Sequence, residues 1–162
     1  MKTMDYLNLD EKKAASVLPA LQQLLADFQI HYMNLRGFHW NIQGHGFFIL
    51  HGKFEELYED TARKVDELAE RVLMLGGKPE NRFSRYLEVA GLKEVAEVGC
   101  ASEAVEYVLA ALRHFMAGER RLIDLAAEAH DDVTADLMTG YLKEQEKLVW
   151  MLVAFSSQGC AH

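Results

Sequence analysis

The sequence predicts an all-α fold, a four-helix bundle with a short helix in the long crossover between its second and third helices. Of the 162 residues only 2 are proline, 50% are hydrophobic and 26% are charged. This composition is typical of a globular protein and not of a disordered one. The length suits a single domain spanning residues 1–162. Apolar residues recur at helical spacing in long stretches, and β-rich patterning is absent.

Four stretches with this spacing are predicted to be the long helices. They span residues 10 or 16 to 42, 47 to 75, 102 to 129 and 133 to 155. Pro19 either opens the first helix or kinks it, and Ser102 is expected to cap the third. Short connections at residues 43–46 and 130–132 predict that each pair of neighbouring helices forms an antiparallel hairpin.

The segment from Lys78 to Cys100 is too long for a tight turn. Within it, Phe83–Leu87 and Leu92–Val98 could each form a short helix. Because it joins the two antiparallel pairs, this segment is predicted to cross from one pair to the other. One long crossover is the ferritin-like version of a four-helix bundle.

The charge and the cysteines exclude several classes of protein. The net charge is −8, and an acidic surface attracts cations better than phosphates. No apolar run approaches the length of a membrane span, and no signal-peptide pattern opens the sequence. Cys100 and Cys160 lack CxxC spacing, which favours the reducing cytoplasm over a disulfide framework. Cys100 is expected to be a buried or crossover thiol and Cys160 a terminal one.

Five potential metal ligands lie in and near the second predicted helix. They are His39, His51, Glu55, Asp66 and Glu70. His51 and Glu55 are four residues apart, as are Asp66 and Glu70, so each pair shares one helical turn. The four share one face within an arc of about 100°, but the two pairs lie about 16 Å apart along the axis. A second copy of the helix, antiparallel across a two-fold axis, would bring the pair of one subunit to the other pair of its partner.

The chemistry of this set suits a first-row metal at a subunit interface. No glutamate is followed three residues later by histidine, which disfavours the usual di-iron centre inside a ferritin-like bundle. His39 precedes the predicted turn and His51 follows it, so a hairpin places both at one end. Mixed imidazole and carboxylate ligands suit iron, zinc and manganese. Carboxylates stabilise Fe(III) relative to Fe(II), which assists oxidation.

Three motifs in this region carry a resemblance to a known family. They are HWN-x-x-G at residues 39–44, FxxLH at 47–51 and DExAER at 66–71. In this register they closely resemble the Dps family, the miniferritins that protect DNA during starvation, and the resemblance spans essentially the whole chain. It implies that the family's ferroxidase ligands correspond to His39, His51, Glu55, Asp66 and Glu70. Many members have aspartate where this chain has Glu55.

The resemblance also implies a function. A Dps protein is expected to be a hollow homo-dodecamer with ferroxidase sites at its two-fold interfaces. It oxidises Fe(II), preferentially with hydrogen peroxide, and stores a ferric mineral, which protects DNA and cell from oxidative stress. Iron is then the cofactor, no organic cofactor is expected, and the protein belongs in the bacterial cytoplasm. One alternative is a DNA-binding, nucleoid-compacting protein with secondary ferroxidase activity, although this chain has no lysine-rich tail. Another is a zinc-binding or redox-inert bundle.

Several further residues have both a functional and a structural interpretation. Trp40, next to a predicted ligand, could trap radicals or pack at an interface. Glu56 and Glu59 could nucleate mineral or form a solvated face. Asp131 and Asp136 correspond to acids of a family pore for iron entry, but acids at a helix start also serve as caps.

Overall fold

The structure is a computed structural model that describes residues 1–96 and 98–157. In these residues all elements of secondary structure are helices, which confirms the all-α prediction. They are α1 (Met4–Leu7), α2 (Glu11–Asn41), α3 (Phe47–Met74), α4 (Phe83–Val89), α5 (Ala101–Ala129) and α6 (Asp132–Ser156). No helix in the described ranges is long and apolar enough to cross a membrane. Cys160 lies outside the described residues, and Cys100 is exposed and not buried.

Helices α2 and α3 pack together as one hairpin, α5 and α6 as the other, and α2 joins the hairpins by packing on α5. Two buried clusters of apolar side chains fill the space between them. One is centred on the stacked rings of Phe28 and Phe115, 4.1 Å apart. The other includes Phe38 and Phe54, with ring centroids 5.7 Å apart, and lies next to the turn between α2 and α3. This second cluster holds the ends of both helices that carry the predicted ligands.

The ends of the long helices follow from local hydrogen bonding. The carboxylate of Asp10 accepts from Lys13 N at 2.9 Å, so α2 begins there and Pro19 lies inside it. The alternative in which Pro19 opens the helix is therefore wrong. At the end of α3, Gly76 has φ of 77°, a left-handed conformation that glycine adopts without strain.

The crossover contains one short helix, α4, as predicted, but the second prediction, a helix at Leu92–Val98, is wrong for the described part of that segment. Buried polar side chains of α2 bind its backbone instead. Asp27 Oδ1 accepts from Gly91 N and Leu92 N at 2.6 and 3.1 Å. Asn34 accepts from Val95 N at 3.0 Å. These bonds satisfy backbone groups that a helix would otherwise pair internally.

The predicted cap of α5 is also wrong. The N-cap residue is Cys100 and not Ser102, which lies inside the first turn. No side-chain oxygen caps this helix, so the preference for serine at such positions is not used here.

Candidate metal centre

His39 and His51 face each other across the α2–α3 turn. His39 Nδ1 lies 2.8 Å from the carbonyl oxygen of His51, and His51 Nδ1 lies 2.9 Å from the carbonyl oxygen of His39. Their rings stack with centroids 3.8 Å apart. The His39 carbonyl is available because it lies in the last turn of α2, where Gln43 N bonds to Gly99 O instead. The turn thus fixes both imidazoles by a reciprocal pair of hydrogen bonds.

These hydrogen bonds determine which ring nitrogens can bind a metal. A carbonyl oxygen can only accept, so Nδ1 of each ring carries the proton and donates it. In a neutral imidazole the lone pair is then on Nε2. Backbone carbonyls that fix the tautomer and orientation of histidine in this way are typical of metal sites. His39 and His51 therefore present two Nε2 atoms that are ready to bind a metal ion.

Glu55 completes a group of three potential ligands. One ligand atom from each of His39, His51 and Glu55 lies within 4.8 Å of the others. The two histidines are half-buried and Glu55 is exposed, so the group opens to solvent. The helical spacing of His51 and Glu55 and the hairpin predicted this convergence, which the structure contains within one chain.

Two residues beside this group were not identified from the sequence. Tyr58 lies edge-on to His39, with centroids 5.4 Å apart, and its hydroxyl is 3.5 Å from Glu55 Oε1. Arg36 lies over the Tyr58 ring at 5.3 Å. The only sequence signal was the helical spacing of Glu55 and Tyr58, which are three residues apart.

The phenol of Tyr58 is a hydrogen-bond donor at neutral pH. Desolvation raises its pKa, and the charges of Glu55 and Glu59 raise that pKa further, whereas Arg36 lowers it. The hydroxyl therefore stays protonated and can donate to the Glu55 carboxylate.

Trp40 directly follows His39 in α2 and lies at the protein surface. Its side chain is 56% exposed, and the Arg36 guanidinium lies 5.2 Å from its ring centroid. A tryptophan at this exposure in one chain has area available for contact with another subunit.

Asp66 and Glu70 are exposed on α3. They share a helix with His51 and Glu55, and about 16 Å of helix separates the two pairs. One chain therefore brings three of the five predicted ligands together and leaves these two apart.

The two acids predicted to line a pore, Asp131 and Asp136, differ in their exposure to solvent. Asp131 is 1% exposed and caps α6 by accepting from Thr134 N. Its carboxylate also accepts from Arg71 Nη2 at 2.5 Å. The structural interpretation of Asp131 as a helix cap is therefore confirmed, and its role in a pore stays a prediction. Asp136 is exposed.

The acids predicted to nucleate mineral lie on α3 near Glu55. Glu56 and Glu59 are both exposed, and Glu56 pairs with Lys53. Their placement is compatible with either interpretation.

Comparison with known proteins gives the family. Residues 18–158 match the ferritin-like domain family. The chain is 52% identical to the DNA protection during starvation protein of Porphyromonas gingivalis, over 97% of this chain and 99% of that protein. Its fold matches the crystal structure of a Dps protein from Vibrio cholerae O1, described as a member of the ferritin-like diiron-carboxylate proteins. The TM-score is 0.91 at 43% identity, over 94% of this chain and 96% of that one.

A Dps protein from Bacillus brevis has the same fold, with a TM-score of 0.87 at 38% identity, covering 90% of this chain and 98% of the other. Matches of this identity over nearly full length, together with the four-helix architecture, establish the relationship. The chain belongs to the Dps family of ferritin-like proteins.

Proposed function

We propose that this protein is an iron-storage and detoxification miniferritin that oxidises Fe(II) at sites shared between two subunits. The observation that carries the proposal is the convergence of His39, His51 and Glu55, with Nδ1 of each histidine within hydrogen-bond distance of a backbone carbonyl. Family membership supports it, since a related structure is described as a diiron-carboxylate protein. His39, His51 and Glu55 of one subunit and Asp66 and Glu70 of its partner are the proposed ligands.

The spacing on α3 specifies how two subunits would pair. His51 and Glu70 are equally distant from the midpoint between residues 60 and 61, and so are Glu55 and Asp66. Two copies of α3 that cross antiparallel at that midpoint would place Glu70 of one copy opposite His51 of the other. Asp66 of one copy would likewise lie opposite Glu55 of the other. Phe48 and Leu73 are related by the same midpoint, and both are exposed, at 88% and 53%. The same pairing would therefore bury two apolar side chains at each end of the contact.

Each such site would collect two imidazoles and three carboxylates. Carboxylates brought this close repel one another unless a cation lies between them. Fe(II), as substrate, would relieve this repulsion. Oxygen ligands prefer harder ions, so the product Fe(III) would be bound more favourably than Fe(II), which assists the oxidation.

Hydrogen peroxide is the proposed oxidant. Two Fe(II) ions at one site supply one electron each, and peroxide with two protons becomes two water molecules. A paired transfer releases no hydroxyl radical, which is the chemical basis of the proposed protection of DNA and cell. In a hollow homo-dodecamer the Fe(III) product would accumulate as mineral.

Three accessory roles are proposed from position and charge. Trp40, exposed beside His39, would capture a stray oxidising equivalent. Asp136 would line the route of iron entry, and Glu56 and Glu59, exposed on the helix of the proposed site, would nucleate mineral.

The test is peroxide-dependent oxidation of Fe(II), added anaerobically, by variants of each half-site. His51→Ala and Asp66→Ala should each slow oxidation at least about tenfold, since loss of even a supporting residue commonly costs this much. Because the two halves come from different subunits, co-assembly of the two variants should restore intact sites. One of the two sites in each mixed dimer is complete, so a random equal mixture should recover about a quarter of the wild-type rate.

The matched control mixes His51→Ala with Glu55→Ala. Both changes fall in the same half-site, so every mixed dimer has two defective sites and no activity should return. Wild-type rates in the single variants would overturn the assignment of iron oxidation to these residues. Equal recovery in both mixtures would overturn the sharing of the site between subunits.

A further inference from the structure

Glu55 is the least constrained of the three ligands that meet in one chain. Its side chain is exposed and contains one more methylene group than an aspartate side chain. An additional rotatable bond raises the entropy cost of holding the carboxylate in one place. The two histidines, by contrast, are fixed by hydrogen bonds to backbone carbonyls. Some other contact must restrain the glutamate if it is to bind a metal as well as they do.

Tyr58 is placed to provide this contact. It lies three residues after Glu55 on α3, half-buried, and its hydroxyl is 3.5 Å from Glu55 Oε1. Its ring meets the ring of His39 edge-on, at an interplanar angle of 84°. One side chain thus touches two of the three ligands.

The position of Tyr58 does not depend on Glu55. Arg36 lies over its ring at 5.3 Å and donates from Nη1 to the Tyr32 hydroxyl at 2.7 Å. Tyr32 in turn meets Tyr58 edge-on, with centroids 6.1 Å apart. Cation–π and edge-to-face contacts of this kind favour defined geometries. Tyr32 and Arg36 therefore form an aromatic frame on α2 that holds the Tyr58 hydroxyl within reach of the Glu55 carboxylate.

We propose that Tyr58 is a positioning residue, which holds the Glu55 carboxylate towards Nε2 of His39 and His51 through its hydroxyl, while Arg36 and Tyr32 hold its ring. The inference rests on the proposed function and extends it, because it assigns the restraint of the longer acidic ligand to one hydroxyl. The shorter side chain of an aspartate at position 55 would not reach that hydroxyl.

The test is a cycle of Tyr58→Phe and Glu55→Asp, with Co(II) titrated into the assembled protein without oxidant. Tyr58→Phe removes only the hydroxyl. In the wild-type background it should weaken Co(II) binding about two- to tenfold, the range expected for one hydrogen bond. It should also change the visible Co(II) absorption bands, which report ligand geometry. In the Glu55→Asp background the same change should alter affinity less than about twofold.

Tyr32→Phe is the matched control, since it removes a phenol hydroxyl from the same aromatic frame without touching Glu55. It should weaken Co(II) binding less than Tyr58→Phe does, because the rings of positions 32 and 58 still meet edge-on and the Tyr58 hydroxyl remains. An equal loss in Tyr32→Phe would mean that packing of the frame sets the affinity, which would overturn the role of the Tyr58 hydroxyl. An equal loss of Co(II) affinity from Tyr58→Phe in both backgrounds, or no loss in either, would also overturn that role. His51→Ala tests the site separately: if it binds Co(II) like the wild type, the proposed function itself fails.

Discussion

Glu119 on α5 is 0% exposed and pairs with Gln145 on α6, whose Nε2 donates to Glu119 Oε1 at 2.5 Å. The other oxygen of each group, Glu119 Oε2 and Gln145 Oε1, has no partner among the described residues. Burial raises the pKa of Glu119 to about 7, against the lowering effects of the Gln145 hydrogen bond and of the Lys64 and Arg120 charges. Protonation of Glu119 would remove the buried negative charge and add a hydrogen-bond donor to this pair.

This pair predicts how stability depends on pH. The pKa of Glu119 rises from 4.5 to about 7 on folding, so the folded state binds more protons between these values. The contribution of Glu119 to the free energy of unfolding is therefore complete below about pH 4.5. It is lost as pH rises through about 7, by up to about 3 kcal/mol. Glu119→Gln keeps the shape and cannot titrate. Between about pH 5 and 8 the melting temperature of the wild type should fall more than that of Glu119→Gln.

Glu128→Gln is the control, because Glu128 is exposed on the same helix. Its melting temperature should follow the wild-type profile. Parallel profiles for wild type and Glu119→Gln would contradict the prediction.

At the residue scale, the sequence predicted which candidate ligands meet within one chain but not which residues contact and orient them. His51 and Glu55 could be identified because helical spacing alone makes them neighbours. The tautomer of His51, and the contact of Tyr58 with both His39 and Glu55, depend on atoms brought together by the turn. No residue pattern encodes a hydrogen bond between a side chain and a carbonyl twelve positions away.

At the scale of elements, the junction of α3 with α6 depends on a buried polar group. Arg71 on α3 donates to Asp131 Oδ1 at 2.5 Å and to Thr134 Oγ1 at 2.8 Å. Thr134 also donates through its hydroxyl to Asp131 Oδ2 at 2.5 Å. The side chains of Arg71 and Asp131 are only 6% and 1% exposed. Asp131 therefore starts α6 and ties it to α3 with the same carboxylate.

Asp131→Ala should be strongly destabilising. It removes the cap and leaves the Arg71 guanidinium buried without its partner, which typically costs about 3–5 kcal/mol. Thermal or chemical denaturation at fixed protein concentration measures the loss. Asp132→Ala, at an exposed neighbouring acid in the first turn, should cost less than about 1 kcal/mol. Similar small effects for both variants would refute the structural role of Asp131.

The element boundaries show where sequence patterns succeed. Apolar spacing and glycine predicted the start of α3 at Phe47 and the end of α5 at Ala129, both as observed. The pattern failed in the crossover, where Asp27 and Asn34 bind backbone groups of a segment about sixty residues away. Long-range polar contacts override a local preference for helix.

At the scale of the whole molecule, charge decides which large partners are compatible. The chain has 17 lysines and arginines against 25 aspartates and glutamates. In the first thirteen residues, three lysines are balanced by three acids. Binding to DNA depends on neutralising phosphates with basic side chains, and this chain offers no excess of them.

We therefore expect weak or no binding to DNA at physiological salt. A gel-shift titration at about 0.15 M salt should leave duplex DNA unshifted. The same titration of a Dps protein with a lysine-rich tail is the positive control. A shift by this protein that persists at about 0.15 M salt would support the alternative function, compaction of the nucleoid.

The sequence by itself determined the helices, their pairing and the identity of the candidate ligands, because these depend on periodicities of a few residues. It also disfavoured one site, the usual centre inside the bundle, because no glutamate is followed three residues later by histidine. Only the tertiary structure decided that His39, His51 and Glu55 meet with the Nδ1 atoms of both histidines bound to backbone carbonyls, that Tyr58 touches two of these residues, and that Asp131 is a buried cap. The reason is physical: these properties belong to atoms that are distant along the chain and meet only when the helices pack.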